Sequence, residues 1–88
     1  MNDKFKNRVY VRMRDILLGK NYQIIRVVQD KNPNAPEIQF EFWAGAKGVI
    51  ILQIWGPMGG DEKTEVGVAT YCNWGTLGST FEDLEKAI

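Results

Sequence analysis

From Glu37 to Trp43 apolar and polar residues alternate, with Ile38, Phe40 and Phe42 on one side and Gln39, Glu41 and Trp43 on the other. That is the two-residue period of a strand. The first eighteen residues follow a different period. Phe5, Val9, Met13 and Ile16 recur at i, i+4, i+8 and i+11, widened by Tyr10 and Leu17, which predicts an amphipathic helix over residues 3–18. Asp3 or Asn2 can cap its start, and Gly19, followed by Lys20-Asn21, supplies the stop.

Four strands are expected after this helix, at Tyr22–Gln29, Glu37–Trp43, Val49–Trp55 and Thr64–Cys72. Asn32-Pro33-Asn34 and Pro36 mark the first connection as loop, Ala44–Gly48 is a tight turn, and Gly56–Asp61 is a longer glycine-rich loop. Closing the tight turn pairs Trp43 with Val49. Phe42 then falls opposite Ile50, Phe40 opposite Leu52 and Ile38 opposite Ile54, an unbroken apolar face. A slip of one residue would set Ile38 against Gln53, so the first register is preferred. Val66 and Val68 are expected to join this face.

Asn73–Gly78 reads as loop. The tail opens with S-x-x-E at Ser79–Glu82, a capping box, and Phe81, Leu84 and Ile88 form the apolar edge of a short helix. The expected fold is therefore α+β in the order α-ββββ-α: an N-terminal helix, a four-stranded antiparallel meander and a short C-terminal helix. Its 88 residues make one domain.

The opposite face of the sheet carries Trp43, Val49, Ile51 and Trp55, with Gly67, Ala69 and Tyr71 expected beside them. If Ile25 and Val27 point inward, Tyr22, Ile24, Arg26 and Val28 join this outer face. A face left in water should be mostly polar, whereas large aromatic residues with an arginine match the composition of interface anchors. Trp43, Trp55 and Tyr71 are the expected anchors, Ile51 and Val49 the apolar floor, and Arg26 a polar clamp. The competing arrangement lays one helix on each face and leaves no such patch.

Composition narrows the chemistry. The chain has no histidine, which removes the commonest general base, the Ser-His and Cys-His nucleophile pairs and imidazole metal sites. With the single Cys72, internal disulfides and thiolate metal sites are excluded as well. Cys72 reads as a buried small residue of a protein kept in a reducing compartment. Gly59-Gly60 before Lys63-Thr64 misses the phosphate-loop spacing, because Glu62 intervenes. The acids Asp61, Glu62 and Glu65, and again Glu82, Asp83 and Glu85, read as surface charge and helix capping. No enzyme activity, metal or cofactor is expected.

Formal charge is zero but uneven. Nine Lys/Arg against five Asp/Glu in residues 1–47 give +4, and two against six in residues 48–88 give −4. Lys4, Arg8 and Arg12 line one stripe of the first helix and are candidates for phosphate contacts, with Asp15 interrupting them. No secretory leader is evident, and the longest aliphatic run, Val49–Leu52, is far below bilayer length, so a cytoplasmic protein without membrane contact is expected.

In outline the α-meander-α order resembles frataxin-like and RWD-type domains. The likeness is one of topology, which assigns no function. The first helix is basic where the frataxin helix that handles iron is acidic, and the Y-P-x-x-x-P turn of RWD-type domains is absent. Small histidine-free domains are common among inhibitors, immunity proteins and the anti-defence or accessory proteins of phages and mobile elements. The expected function is accordingly a non-enzymatic module that binds a protein, or itself as a homodimer, through the outer face. The alternative is a single-stranded nucleic-acid binder that uses the sheet aromatics and the basic helix.

Overall fold

The computed structural model describes residues 3–29, 34–55, 65–71 and 75–88, with the backbone path alone for residues 3, 5, 65–71, 75–77 and 79. The elements with described side chains are helix α1 (Asp3–Gly19), strands β1 (Gln23–Gln29), β2 (Ile38–Trp43) and β3 (Val49–Ile54), and helix α2 (Phe81–Ala87). The three strands form an antiparallel sheet in chain order. Beyond β3 the backbone adds β4 (Glu65–Tyr71) and β5 (Gly75–Thr80) at the far side.

The β2–β3 register is the expected one. Trp43 pairs with Val49, Phe42 with Ile50, Phe40 with Leu52 and Ile38 with Ile54, and the six inward members other than Trp43 and Val49 are fully buried. The tight turn between them is a short 3-10 segment, Gly45–Lys47, closed by Ala44 N–H donating to the Gly48 carbonyl at 2.8 Å.

Val9, Met13, Ile16 and Leu17 of α1 and Phe81, Leu84 and Ile88 of α2 join those six sheet residues in one core cluster. Both helices therefore lie on the same face of the sheet, and the arrangement with one helix on each face is ruled out for these elements. Two ring stacks tie the layers together: Tyr10 on Phe40, centroids 6.1 Å apart, and Tyr22 on Phe42 at 5.8 Å. The Arg12 guanidinium lies 5.3 Å from the Phe81 ring centre and links the helices.

Several local expectations need correction. The residue that ends α1 in the left-handed conformation is Asn21, at φ 61°, and not Gly19. Asn21 N–H donates to the Leu18 carbonyl at 3.0 Å and Tyr22 N–H to the Leu17 carbonyl at 3.0 Å, the paired bonds of a Schellman motif, in which asparagine tolerates the positive φ. The motif aims Tyr22 at the core rather than at the outer face. Its hydroxyl donates to the Ile88 carbonyl at 3.1 Å, which Lys47 Nζ also reaches at 2.8 Å, while Lys20 Nζ donates to the Glu85 carbonyl. These donors satisfy carbonyls of the last turn of α2, which have no partner within a helix.

The second correction concerns β1. Its register shifts between Ile24 and Arg26, so Ile25 is a bulged residue and is 51 % exposed. The extra residue changes phase within the strand. Ile24 opposite Phe42 and Val27 opposite Phe40 both pack against the core, while Arg26 and Val28 pair with the outward Glu41 and Gln39. Strict alternation cannot produce that spacing, so the alternating arrangement with Ile25 and Val27 inward and Ile24 outward does not hold.

The third correction lies at the C-terminal end. The segment Asn73–Gly78, expected as loop, carries the backbone of β5 from Gly75 onward. The two glycines and single large apolar residue of β5 give a poor strand signal. The N-cap of α2 is Thr80, not Ser79: Asp83 N–H donates to Thr80 Oγ1 at 3.0 Å and Thr80 N–H to Asp83 Oδ2 at 3.4 Å. The capping box is present but begins one residue later, with aspartate in the place of glutamate. Thr80→Ala should lower stability by about 1 kcal/mol in denaturant unfolding.

Other expectations fall on residues outside the described ones. These are the Gly56–Asp61 loop, the Asn32-Pro33 turn, Cys72, both ends of the Thr64–Cys72 strand, and the side chains of Val66 and Val68.

Candidate interaction face

The outer face is built from three cross-strand rows. Trp43 and Val49 form the row nearest the tight turn; Arg26, Glu41 and Ile51 the next; Val28, Gln39 and Gln53 the third. Trp55 follows β3 at the far end. Because side chains alternate along a strand, each outward residue here is the complement of a buried one, and burying Phe40, Phe42, Ile50 and Leu52 is what turns Glu41, Trp43, Val49 and Ile51 away from the core.

Trp43, Val49 and Trp55 remain 41–48 % exposed, and Val28 is exposed at the β1 side of the face, while Ile51 is half-buried between its neighbours. Trp55 stands six residues beyond Val49, so the two tryptophans mark opposite ends of the face, about 20 Å apart along the strands. Between them the chemistry is polar and neutral. Arg26 pairs with Glu41 at 3.3 Å, and Gln53 Nε2 donates to Gln39 Oε1 at 3.4 Å. The Arg26 side chain is 63 % exposed, so this pair adds little stability and serves mainly to orient the guanidinium.

Trp43, Trp55, Val49, Ile51 and Arg26, five of the six expected face residues, thus share one surface. The sixth, Tyr71, has a backbone register opposite Leu52, a residue of the buried face, and its side chain lies outside the described residues. Glu41 was not singled out in the sequence. The signal was present, because a register that sets Trp43 against Gln23 and admits one bulge puts Glu41 beside Arg26.

The candidate phosphate contacts lie elsewhere. Lys4, Arg8 and Arg12 are brought together with Asn7, Val11 and Asp15 along a groove of about 410 Å³ on α1. Arg12 is engaged with Phe81, and the Asp15 carboxylate, 3.6 Å from Arg14, places an anion within the groove. Among the described residues, no group of three or more Cys, Asp or Glu is arranged to hold a metal ion, and no helix is long and apolar enough to cross a membrane.

No protein-family model, curated protein or solved structure matches the chain. The residues themselves carry the functional argument.

Proposed function

We propose that this chain is a non-enzymatic module that binds protein through the outer face of its sheet. One observation carries the reading: both helices pack on the inner face, while the outer face holds two tryptophans and two valines at the exposures given above. Exposed tryptophan on a rigid sheet presents large contact area with few rotatable bonds to immobilise, which keeps the entropic cost of association low. Rim polarity comes from Arg26, Glu41, Gln39 and Gln53, each already held by a neighbour in the sheet. An inhibitor, immunity, anti-defence or regulatory accessory role in the cytoplasm fits such a surface.

Capture of a partner protein from the native host by the tagged chain, with binding measured on Trp43→Ala and Trp55→Ala, tests this. Each change should weaken binding by at least about 2 kcal/mol, some thirtyfold, if the residue is an anchor. Folding should be nearly unaffected, because neither side chain belongs to the core. Unchanged binding in both variants would sink the reading. Nucleic-acid binding through Lys4, Arg8 and Arg12 predicts instead salt-dependent retention on single-stranded oligonucleotide, lost on charge reversal in α1. On the outer face it has less support, since Arg26 is the one cation there among the described residues and is neutralised by Glu41.

A further inference from the structure

We infer that the groove on the outward side of α1 docks an acidic helix of a partner protein. α1 buries Val9, Met13, Ile16 and Leu17 in the core, which turns the groove residues away from it. This surface lies on the opposite side of the sheet from the Trp43 face, so its role stands or falls without that one.

The six described lining residues form two adjacent rows on the helix surface, Lys4-Arg8-Arg12 and Asn7-Val11-Asp15, each with a four-residue step. A furrow between two such rows is the shape that receives a row of side chains from a second helix, with the axes crossing at about 50°. In that packing the rows of the two helices run alongside one another. Acids four residues apart on the incoming helix then repeat at about 6 Å, the same interval that separates Lys4, Arg8 and Arg12 along α1. The two spacings stay matched over the whole stripe.

Charge chooses the chemistry of the occupant. Lys4 and Arg12 are exposed and Arg8 is half-buried, so one wall of the groove is cationic along its length. The Arg12 guanidinium stacks on Phe81 by its face, and a guanidinium donates hydrogen bonds at its edge. The other wall differs in kind: Val11 is half-buried between neutral Asn7 and Asp15. A phosphate backbone is anionic throughout, so Asp15 opposes it and Val11 offers it nothing. A helix with glutamates on one row and an aliphatic residue on the next satisfies both walls. Leu18, 53 % exposed and seven residues beyond Val11, extends the apolar line on the same side of α1. One helix face falls short of the roughly 800 Å² per partner of a standard interface, so an affinity near 100 µM is expected for a single helix.

The probe is an alanine-based helical peptide of about twenty residues, with Glu at three successive four-residue steps and Leu on the neighbouring row. Titrated to about 1 mM into the isotope-labelled full chain, it should shift the backbone amide signals of Lys4, Asn7, Val11 and Asp15 together, half-saturating near 100 µM. The same peptide with Lys in place of each Glu should shift none of them. Lys4→Glu and Asn7→Glu alter exposed positions and should each weaken binding about fivefold or more, with folding intact. Gln23→Glu makes the same charge change as Asn7→Glu at an exposed position on β1, and should leave the affinity in place.

An absence of shifts at about 1 mM peptide, or shifts that survive both Lys4→Glu and Asn7→Glu, overturns the assignment. An oligothymidylate strand that moves the same signals at lower concentration than the peptide also overturns it, and gives the stripe to single-stranded nucleic acid.

Discussion

Phe40→Ala should cost about 3–5 kcal/mol of folding free energy, the range for emptying a fully buried aromatic site. Phe40 sits in the centre of the sheet, paired with Val27 on one side and Leu52 on the other, with the Tyr10 ring stacked above it. All of these neighbours belong to packed elements, so the cavity cannot close by collapse of a loop. For a chain of this length the whole stability is roughly 4–13 kcal/mol, so the variant should unfold at a much lower urea concentration and can be largely unfolded at 37 °C. Three residues along the same strand, Trp43→Ala should cost less than about 1 kcal/mol, because that ring is nearly half in water and leaves no cavity behind. The contrast between the two, measured in the same urea titration, tests the assignment of the two faces directly. Equal losses would mean that the outer face is packed as tightly as the inner one.

The inner face was legible because two constraints coincided. Strict alternation over Ile38–Trp43 fixed which residues share a side, and the five-residue turn Ala44–Gly48 fixed the register, so four cross-strand pairs followed from one closure. The α1 stripe was legible for a similar reason: Val9, Met13 and Ile16 share a narrow arc, and all three are buried. What escaped the sequence are places where one residue breaks a period. The bulge at Ile25 moves Ile24 and Val27 to the same face, three residues apart, and nothing in the run Ile24-Ile25-Arg26-Val27-Val28 says where the extra residue goes. Only the partner strand decides, since Phe42 and Phe40 offer the apolar contacts that Ile24 and Val27 take up.

The caps show the same limit on a smaller scale. At the end of α1 glycine and asparagine stand two residues apart, and both accept the left-handed conformation. The choice falls on Asn21 because it delivers Tyr22 to Phe42 and to the Ile88 carbonyl, contacts made with residues distant in sequence. At the start of α2, Ser79 and Thr80 both head a plausible box. Starting at Thr80 places Phe81 in the first turn, where it is buried beneath Arg12. Tertiary contact selects between local signals of similar strength, and it also decides the functional question. Whether the Trp43 face is covered depends on which side α2 takes, and Phe81, Leu84 and Ile88 are seated on the inner side.

Gly78→Ala should be the most damaging single-methyl change near the C-terminal end. Gly78 lies in β5 at φ 138°, a region open to glycine and strained for any residue with a Cβ. A Cβ there would come within 2.7 Å of both Cβ and Oδ2 of Asp83, the side chain that completes the capping box on Thr80. Two costs therefore add: about 1–3 kcal/mol of backbone strain, and about 1 kcal/mol as Asp83 is pushed off its cap. At about 4–8 °C per kcal/mol for a domain of this size, the melting temperature should fall by about 8–32 °C. The double variant Gly78→Ala with Asp83→Ala separates the two contributions. Removing the Asp83 carboxylate relieves part of the collision but leaves the strain, so the pair should lose less than the two single losses combined, by about 0.5 kcal/mol or more. A melting curve for Gly78→Ala that overlays the unmodified protein would show that the chain at Gly78 can take a conformation open to alanine, and that the close approach of β5 to the α2 cap is not fixed in solution.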